Sequence, residues 1–189
     1  MGTVARGQGS ETAASSARSE ATQGGVPIDQ IVAIIAKKNG KRFVLDPRVR
    51  ANVVLIGSTP SDLTYSEFLT VLEVYGFAAV EDGKLVRIVP DANLRQYATP
   101  IITAKETLPG SEFVTEIITV KNVSAAQLIP ILRPMISQYG HMAAYPATNT
   151  LMLSDHFGNV RRLEGIIRTF DAEKPRPMDN SATPPSTEH

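Results

Sequence analysis

Apolar residues in this chain arrive in short periodic packets, never in a long run, and the packets form two groups separated by residues 93–111. Packets this short do not build one large layered core. They specify small sheets, each covered by a pair of helices. The first packet, Ile28, Ile31, Val32 and Ile35, recurs at i, i+3, i+4 and i+7, one stripe of an amphipathic helix. Pro27 suits the first turn, Lys37 and Lys38 sit at the negative end of the helix dipole, and Asn39-Gly40 supplies a left-handed stop. A short strand, RFVLD, ends at Asp46-Pro47. NVVLI, Asn52 to Ile56, reads as the next strand, its unbroken apolar run predicting burial on both faces, or on one face plus a partner. Thr64 with Glu67 forms a capping-box pattern opening a helix whose inward stripe is Phe68, Leu69, Leu72 and Tyr75, and Gly76 closes it. Two strands, FAAVE and KLVRIV, flank Asp82-Gly83, a pair suited to a type I′ hairpin turn.

The second group opens with EFVTEIITV, which puts Phe113, Thr115 and Ile117 on one face and Val114, Glu116 and Ile118 on the other. Ser124 with Gln127 repeats the capping-box pattern, followed by the stripe Leu128, Ile131, Leu132, Met135 and Ile136. Pro130 and Pro134 lie inside that stripe and predict a kink. MAAY and TLMLS read as strands. Asp155 or Asn159 caps a last helix with Val160, Leu163, Ile166, Ile167 and Phe170 inward. The expected fold class is α+β: a first module at 26–92 with two helices and short sheets, a linker at 93–111, and a second module at 112–173 with a three-stranded sheet and two helices in the order strand, helix, strand, strand, helix. Residues 1–25, rich in Gly, Ser, Ala, Thr and Gln, and residues 174–189, with four prolines, are expected to be disordered, the latter as a tail or a linker to a further module.

Composition narrows function mainly by exclusion. Lys+Arg and Asp+Glu both total 19, so no net field steers the chain to nucleic acid or an acidic membrane. Without cysteine there is no disulfide, thiol nucleophile or Cys-based metal site. No apolar run approaches the roughly 20 residues of a membrane helix, and MGTVARGQGSE lacks an apolar signal core, so an exported form would carry its signal outside this sequence. His141, His156 and His189 have no ligand-spaced partner, and neither a nucleophile elbow nor a phosphate loop occurs. Glu81-Asp82 falls at a hairpin tip, where solvation leaves both acids ordinary. No catalytic, cofactor-binding or metal residue is expected. The basic run Lys37, Lys38, Lys41, Arg42, Arg48 and Arg50 suits a solvated face or a protein contact. A nucleic-acid-binding reading stays open as the alternative, weakened because the second module lacks the G-x-x-G clamp of RNA-binding KH domains.

Several strings, taken in order, resemble one family. Asp46-Pro47-Arg48-Val49, Gly76-Phe77 and Ile88-Val89-Pro90 match the first periplasmic (N0) module of type II secretion secretins. Asn122-Val123-Ser124-Ala125-Ala126, Leu132-Arg133-Pro134, Thr148-Asn149-Thr150-Leu151 and Asp171 match the next (N1), KH-like module. The resemblance covers residues 28–173. It implies a signalling-domain-like first fold and a non-enzymatic, protein-docking region in the periplasmic part of an outer-membrane channel. The implied partners are the inner-membrane clamp protein, secreted exoproteins and further copies in a ring, with no cofactor and no contact with nucleic acid or membrane by this stretch. Secretins of type IV pili, type III systems or phages are alternatives within the class. A receptor signalling domain would not be followed by the second module. One departure stands out. Family members open the first module with a Phe-Asn-Phe type strand, where this chain reads ATQGGVPIDQ. With that strand degenerate or lost, Val53, Val54, Leu55 and Ile56 are the expected partner-binding residues, on an exposed edge.

Overall fold

The computed structural model describes residues 24–172. The end stretches expected to be disordered lie outside these residues, apart from Gly24 and Gly25. The first module runs β1 (Val26–Pro27), α1 (Ile28–Asn39), β2 (Arg42–Leu45), β3 (Asn52–Val53), α2 (Tyr65–Val74), β4 (Phe77–Asp82) and β5 (Leu85–Pro90). A 3₁₀ turn (Asp91–Gln96) and β6 (Ile101–Ile102) lead into β7 (Phe113–Thr119), α3 (Ala125–Leu132), β8 (His141–Tyr145), β9 (Thr150–His156) and α4 (Phe157–Ala172).

The first module has two sheets: an antiparallel pair, β1-β3, and a mixed sheet in the order β2-β5-β4, with β2 parallel to β5. The opening strand is therefore present in reduced form. Val26 pairs Val53, Pro27 pairs Asn52, and Ile28 N–H donates to Ala51 O at 3.0 Å. Gly25 makes this approach feasible. Its φ is +73°, and a Cβ there would meet Asn52 C and Val53 O at 3.1 Å. The predicted α1 stripe, Ile28, Ile31, Val32 and Ile35, is wholly buried against Phe68, Leu69 and Leu72 of α2, with Phe43 edge-on to Phe68. Thr64 and Glu67 form the expected reciprocal cap. The hairpin turn is shifted by one residue. Asp82 still pairs with Leu85, the loop is Gly83-Lys84, and of those two only Gly83 has positive φ. That places glycine first, as in a type II′ rather than a type I′ turn.

The second sheet has the order β6-β7-β9-β8. The three expected strands are joined by a fourth, β6, parallel to β7 and drawn from the stretch read as a linker. The capping box at Ser124 does not form. The Ala125 N–H instead donates to Asn149 Oδ1 at 2.8 Å, while Asn149 Nδ2 donates to Val120 O and Val123 O at 2.9 and 2.8 Å. Asn149 holds φ +52°, a left-handed conformation that asparagine tolerates better than most residues. One side chain thus joins the end of β7, the start of α3 and the β8–β9 connection. Asp171 accepts from the N–H groups of Lys121 and Asn122 at 2.8 and 2.6 Å and ties the end of α4 to the same loop. Two stripe assignments change. Pro134 falls in a 3₁₀ turn after α3, so only Pro130 interrupts the helix, and Ile131 points to solvent because Ala125, Leu128 and Leu132 define the buried face. Phe170 is exposed, and Glu164 takes an inward place on α4.

Glu164 belongs to a buried charge network. Arg161 Nη1 donates to Glu116 Oε1 at 3.0 Å and to Glu164 Oε2 at 2.7 Å, and Arg168 Nε donates to Glu164 Oε1 at 2.9 Å. Glu116 Oε2 has no hydrogen-bond partner. Burial, aided by the nearby Glu164 charge, pushes the Glu116 carboxyl up. Burial acts to raise Glu164 too, but hydrogen bonds from Arg168 and Arg161 outweigh it and hold that carboxyl below its ordinary range. The two acids therefore act oppositely on stability: ionised Glu164 favours the fold above the ordinary carboxylate range, whereas ionising Glu116 costs the fold as pH rises through it. In urea unfolding at pH 7, Glu164→Gln is expected to lose about 2 kcal/mol, and Glu116→Gln to lose nothing. Asn149→Ala orphans one donor and two acceptors in a left-handed position and is expected to cost roughly 3 kcal/mol in the same measurement.

Candidate docking surface

The segment Val53–Ile56 divides between core and surface. Only Asn52 and Val53 pair as strand, so NVVLI is not a five-residue strand buried on both faces. The reason is local. Val54 N–H donates to the Tyr75 hydroxyl at 2.8 Å, and Gly57 turns the chain at φ +79°, so the backbone leaves the sheet after two pairs. Val53 is 1% exposed and sits in the first core, beyond reach of a partner. Leu55 is half-buried against that core. Val54 and Ile56 are 53% and 93% exposed. Val74, next to the tyrosine that holds Val54, is 75% exposed. Of the four expected partner residues, Val54 and Ile56 are therefore presented to solvent; Val74 on α2, which sequence periodicity did not single out, is exposed as well. Single exposed apolar residues are ordinary on a protein surface; several on one segment point to a contact.

Most of the basic run is already committed within the fold. Lys38 Nζ donates to Ser61 O and Leu63 O at 3.0 and 2.9 Å. Lys41 pairs with Glu81 and lies 4.7 Å from the Tyr65 ring centroid. Arg48 makes a two-point ion pair with Asp46, Nε to Oδ1 and Nη2 to Oδ2, both 2.9 Å, and Arg50 Nε donates to Pro47 O. The Asp46-Pro47-Arg48 string is thus a self-locked turn. Neither of the described histidines is at a metal site. His141 is exposed on β8, and His156 Nδ1 lies 3.1 Å from Ser111 O with its ring edge-on to Phe113. Among the described residues no cluster of three or more His, Cys, Asp or Glu is placed to hold a metal ion.

The stretch 93–111 helps join the two modules. Leu94 and Phe113 are buried with Ala78, Val80 and Val89, on the face of the first mixed sheet opposite α1 and α2, and Tyr97 packs alongside. Around them, His156 lies 3.9 Å from Glu73, and the Thr70 and Ser111 hydroxyls are 3.1 Å apart. The second sheet covers one face with α3 and α4 and leaves the other open. Exposed Ile101, Ile117, Met152 and Tyr145 lie on that open face, where Ile117 pairs with Met152 across β7 and β9.

Two family models match this chain. The GspD-like N0 domain covers residues 24–88, and the bacterial type II/III secretion system short domain covers residues 115–176. Among curated relatives, the Pseudomonas aeruginosa secretin XcpQ is 38% identical over 146 residues, 76% of this chain and 21% of that protein. The Vibrio cholerae secretin GspD is 33% identical over 152 residues, 78% of this chain and 23% of that protein. The chain therefore spans about a fifth of the length of the curated relatives it matches. Among solved structures, the Klebsiella pneumoniae type II secretion system outer membrane complex of PulD, PulS and the PulC HR domain aligns with a TM-score of 0.69 at 26% identity, over 80% of this chain and 26% of that one.

Arg48 governs one pH-dependent feature of this surface. Its hydrogen bonds hold the Asp46 carboxyl down at about 2, against an ordinary 3.8. A depressed carboxylate contributes stability above its unfolded value and loses it as pH falls through the folded one. The difference in thermal midpoint between the wild-type chain and Asp46→Asn is expected to be full at pH 5 to 7 and to close as pH drops from about 4 to about 2. A gap that persists at the lowest pH is incompatible with the pair.

Proposed function

The chain belongs to the secretin family of type II secretion systems, and on that footing we propose that it is the periplasmic docking and ring-building region of an outer-membrane channel for protein export. In this reading it catalyses nothing. Its first module receives the periplasmic domain of the inner-membrane clamp protein, its second packs beside copies of itself, and secreted proteins pass along it. The nucleic-acid alternative gains nothing from the relatives, which are secretins, and the basic run that motivated it is largely occupied by internal partners.

The observation that carries the docking claim is the exposed pair Val54 and Ile56, where the shortened β1-β3 ladder stops after two residue pairs. Beyond the ladder an apolar segment is presented with no strand of its own module beside it, an arrangement open to strand addition or side-chain docking. Support for the partner comes from the Klebsiella assembly, which holds the PulC HR domain together with PulD. Support for lateral packing comes from the open face of the second sheet, where Ile117 of β7 and Tyr145 of β8 are exposed. Copies of one chain in a closed ring bury such a face repeatedly, and the affinity of each contact is multiplied by avidity.

The test is a calorimetric titration of the chain with the clamp protein's periplasmic domain. Val54→Asp and Ile56→Asp are each expected to weaken binding at least tenfold with an unchanged circular-dichroism spectrum. Val53→Asp buries a charge in the first core and is expected to unfold the module. Wild-type affinity in both surface variants would move the docking site elsewhere.

A further inference from the structure

A cleft of about 630 Å³ runs between the connector after β5 and the open face of the second sheet. Its walls are apolar where Tyr97, Ile101, Phe113 and Met152 line it. Its floor is a row of hydroxyls: Thr99 Oγ1 lies 3.3 Å from Thr115 Oγ1, which lies 2.8 Å from Ser154 Oγ, and His141 pairs with Ser154 across the β8–β9 ladder. Arg95 and Gln96 stand on the rim.

The electrostatic balance of this cleft is one-sided. No aspartate or glutamate lines it, and the one permanently charged lining residue is Arg95. Arg95 is exposed and takes no part in the ion pairs formed among the described residues, in contrast to Arg48, Arg87, Arg161 and Arg168. A guanidinium brings five N–H donors and no acceptor. The hydroxyl row uses two of its three O–H groups internally at most, which leaves another donor; the hydroxyls, the His141 imidazole and the Gln96 amide can donate or accept, so the bias of the lining comes from Arg95. A ligand that complements Arg95 is negatively charged and offers acceptors to the guanidinium. One that also fills the apolar walls carries a hydrophobic group beside the charge. The volume lies within the range of specific small-ligand and peptide sites.

We propose that this cleft between the connector and the second sheet is a recognition site for an extended segment of another polypeptide that carries a carboxylate side chain next to an apolar one. Arg95 pairs with the carboxylate, the hydroxyl row donates to it, and Tyr97, Ile101 and Met152 grip the neighbouring apolar side chain. Charge-assisted bonds of this kind are the strong ones, and the planar guanidinium fits a carboxylate in two-point fashion. The proposal rests on the reading of the chain as a docking protein and gives one of its surfaces a chemical specificity, distinct from the clamp-binding site at Val54 and Ile56.

The experiment measures fluorescence anisotropy of a fluorescein-labelled octapeptide of alternating leucine and glutamate, titrated with the full 189-residue chain. Saturable binding is expected, at least tenfold weaker for the leucine–glutamine peptide and for the Arg95→Glu chain, and weakened by 0.5 M salt as screening demands. Met152→Asp is expected to reduce binding to a similar degree. Arg95→Gln, which removes only the charge, provides a milder variant, and circular dichroism reports folding of each. The proposal is overturned by equal affinity for the glutamine peptide, by indifference to Arg95→Glu, or by no binding at millimolar protein. It is also overturned if sedimentation shows that the chain self-associates through this cleft and that Arg95→Glu abolishes the association, since the occupant is then a second copy. Titration of Arg95→Glu with the clamp domain separates the two claims: retained clamp binding with lost peptide binding, or the reverse, assigns the failure to one site.

Discussion

The packing of Phe113 and Leu94 against Ala78, Val80 and Val89 decides what kind of object this chain is. Modules of about 65 residues bury a modest share of their surface and are marginal alone. Here the mixed sheet of the first module is covered on one face by α1 and α2 and on part of the other, around Ala78, Val80 and Val89, by the junction. Strands β4 and β5 accordingly alternate between two cores: Phe77 and Ala79 face the helices, while Ala78 and Val80 face the junction. The two modules meet through a shared apolar cluster, and the contact between them places every exposed surface of one relative to the other.

From that constraint the exposed surfaces follow. The exposed large apolar residues of the first module are Val44, Val74 and, beyond a ladder that stops after two pairs, Val54 and Ile56. The second module, with helices on one side only, keeps an open face. The connector folds over the corner of that face and turns part of it into a cleft. A chain without metal clusters among its described residues still carries chemical information in groups left unmatched: the charge of Arg95, and a carboxylate oxygen of Glu116 with no partner. The first faces solvent and is available for recognition. The second is buried inside the fold, where its desolvation bears on stability.

Periodicity and short-range chemistry decide the structure where both partners lie within a few residues, and a distant competitor overrides them elsewhere. The α1 stripe is buried as its spacing requires, and the Thr64–Glu67 cap forms because both partners lie within one helical turn. The Ser124 pattern has the right spacing for a cap, yet Asn149, twenty-four positions away, takes the Ala125 donor. Asn149 and Asp171, both within the strings that carry the family resemblance, have structural roles here, since each ties several backbone groups together.

The sequence by itself determined the α+β class, the two groups of elements, the inward stripes of α1 and α2 and the family, because these depend on spacing within a few residues and on ordered short strings. Tertiary structure alone decided that 93–111 joins the junction and adds β6 to the second sheet, that Val53 is core while Val54 and Ile56 are surface, and that Glu116 meets Arg161 in the interior. An apolar run says that burial is needed but not against what. Long-range packing chooses which face is buried, and with it which residues remain for a partner.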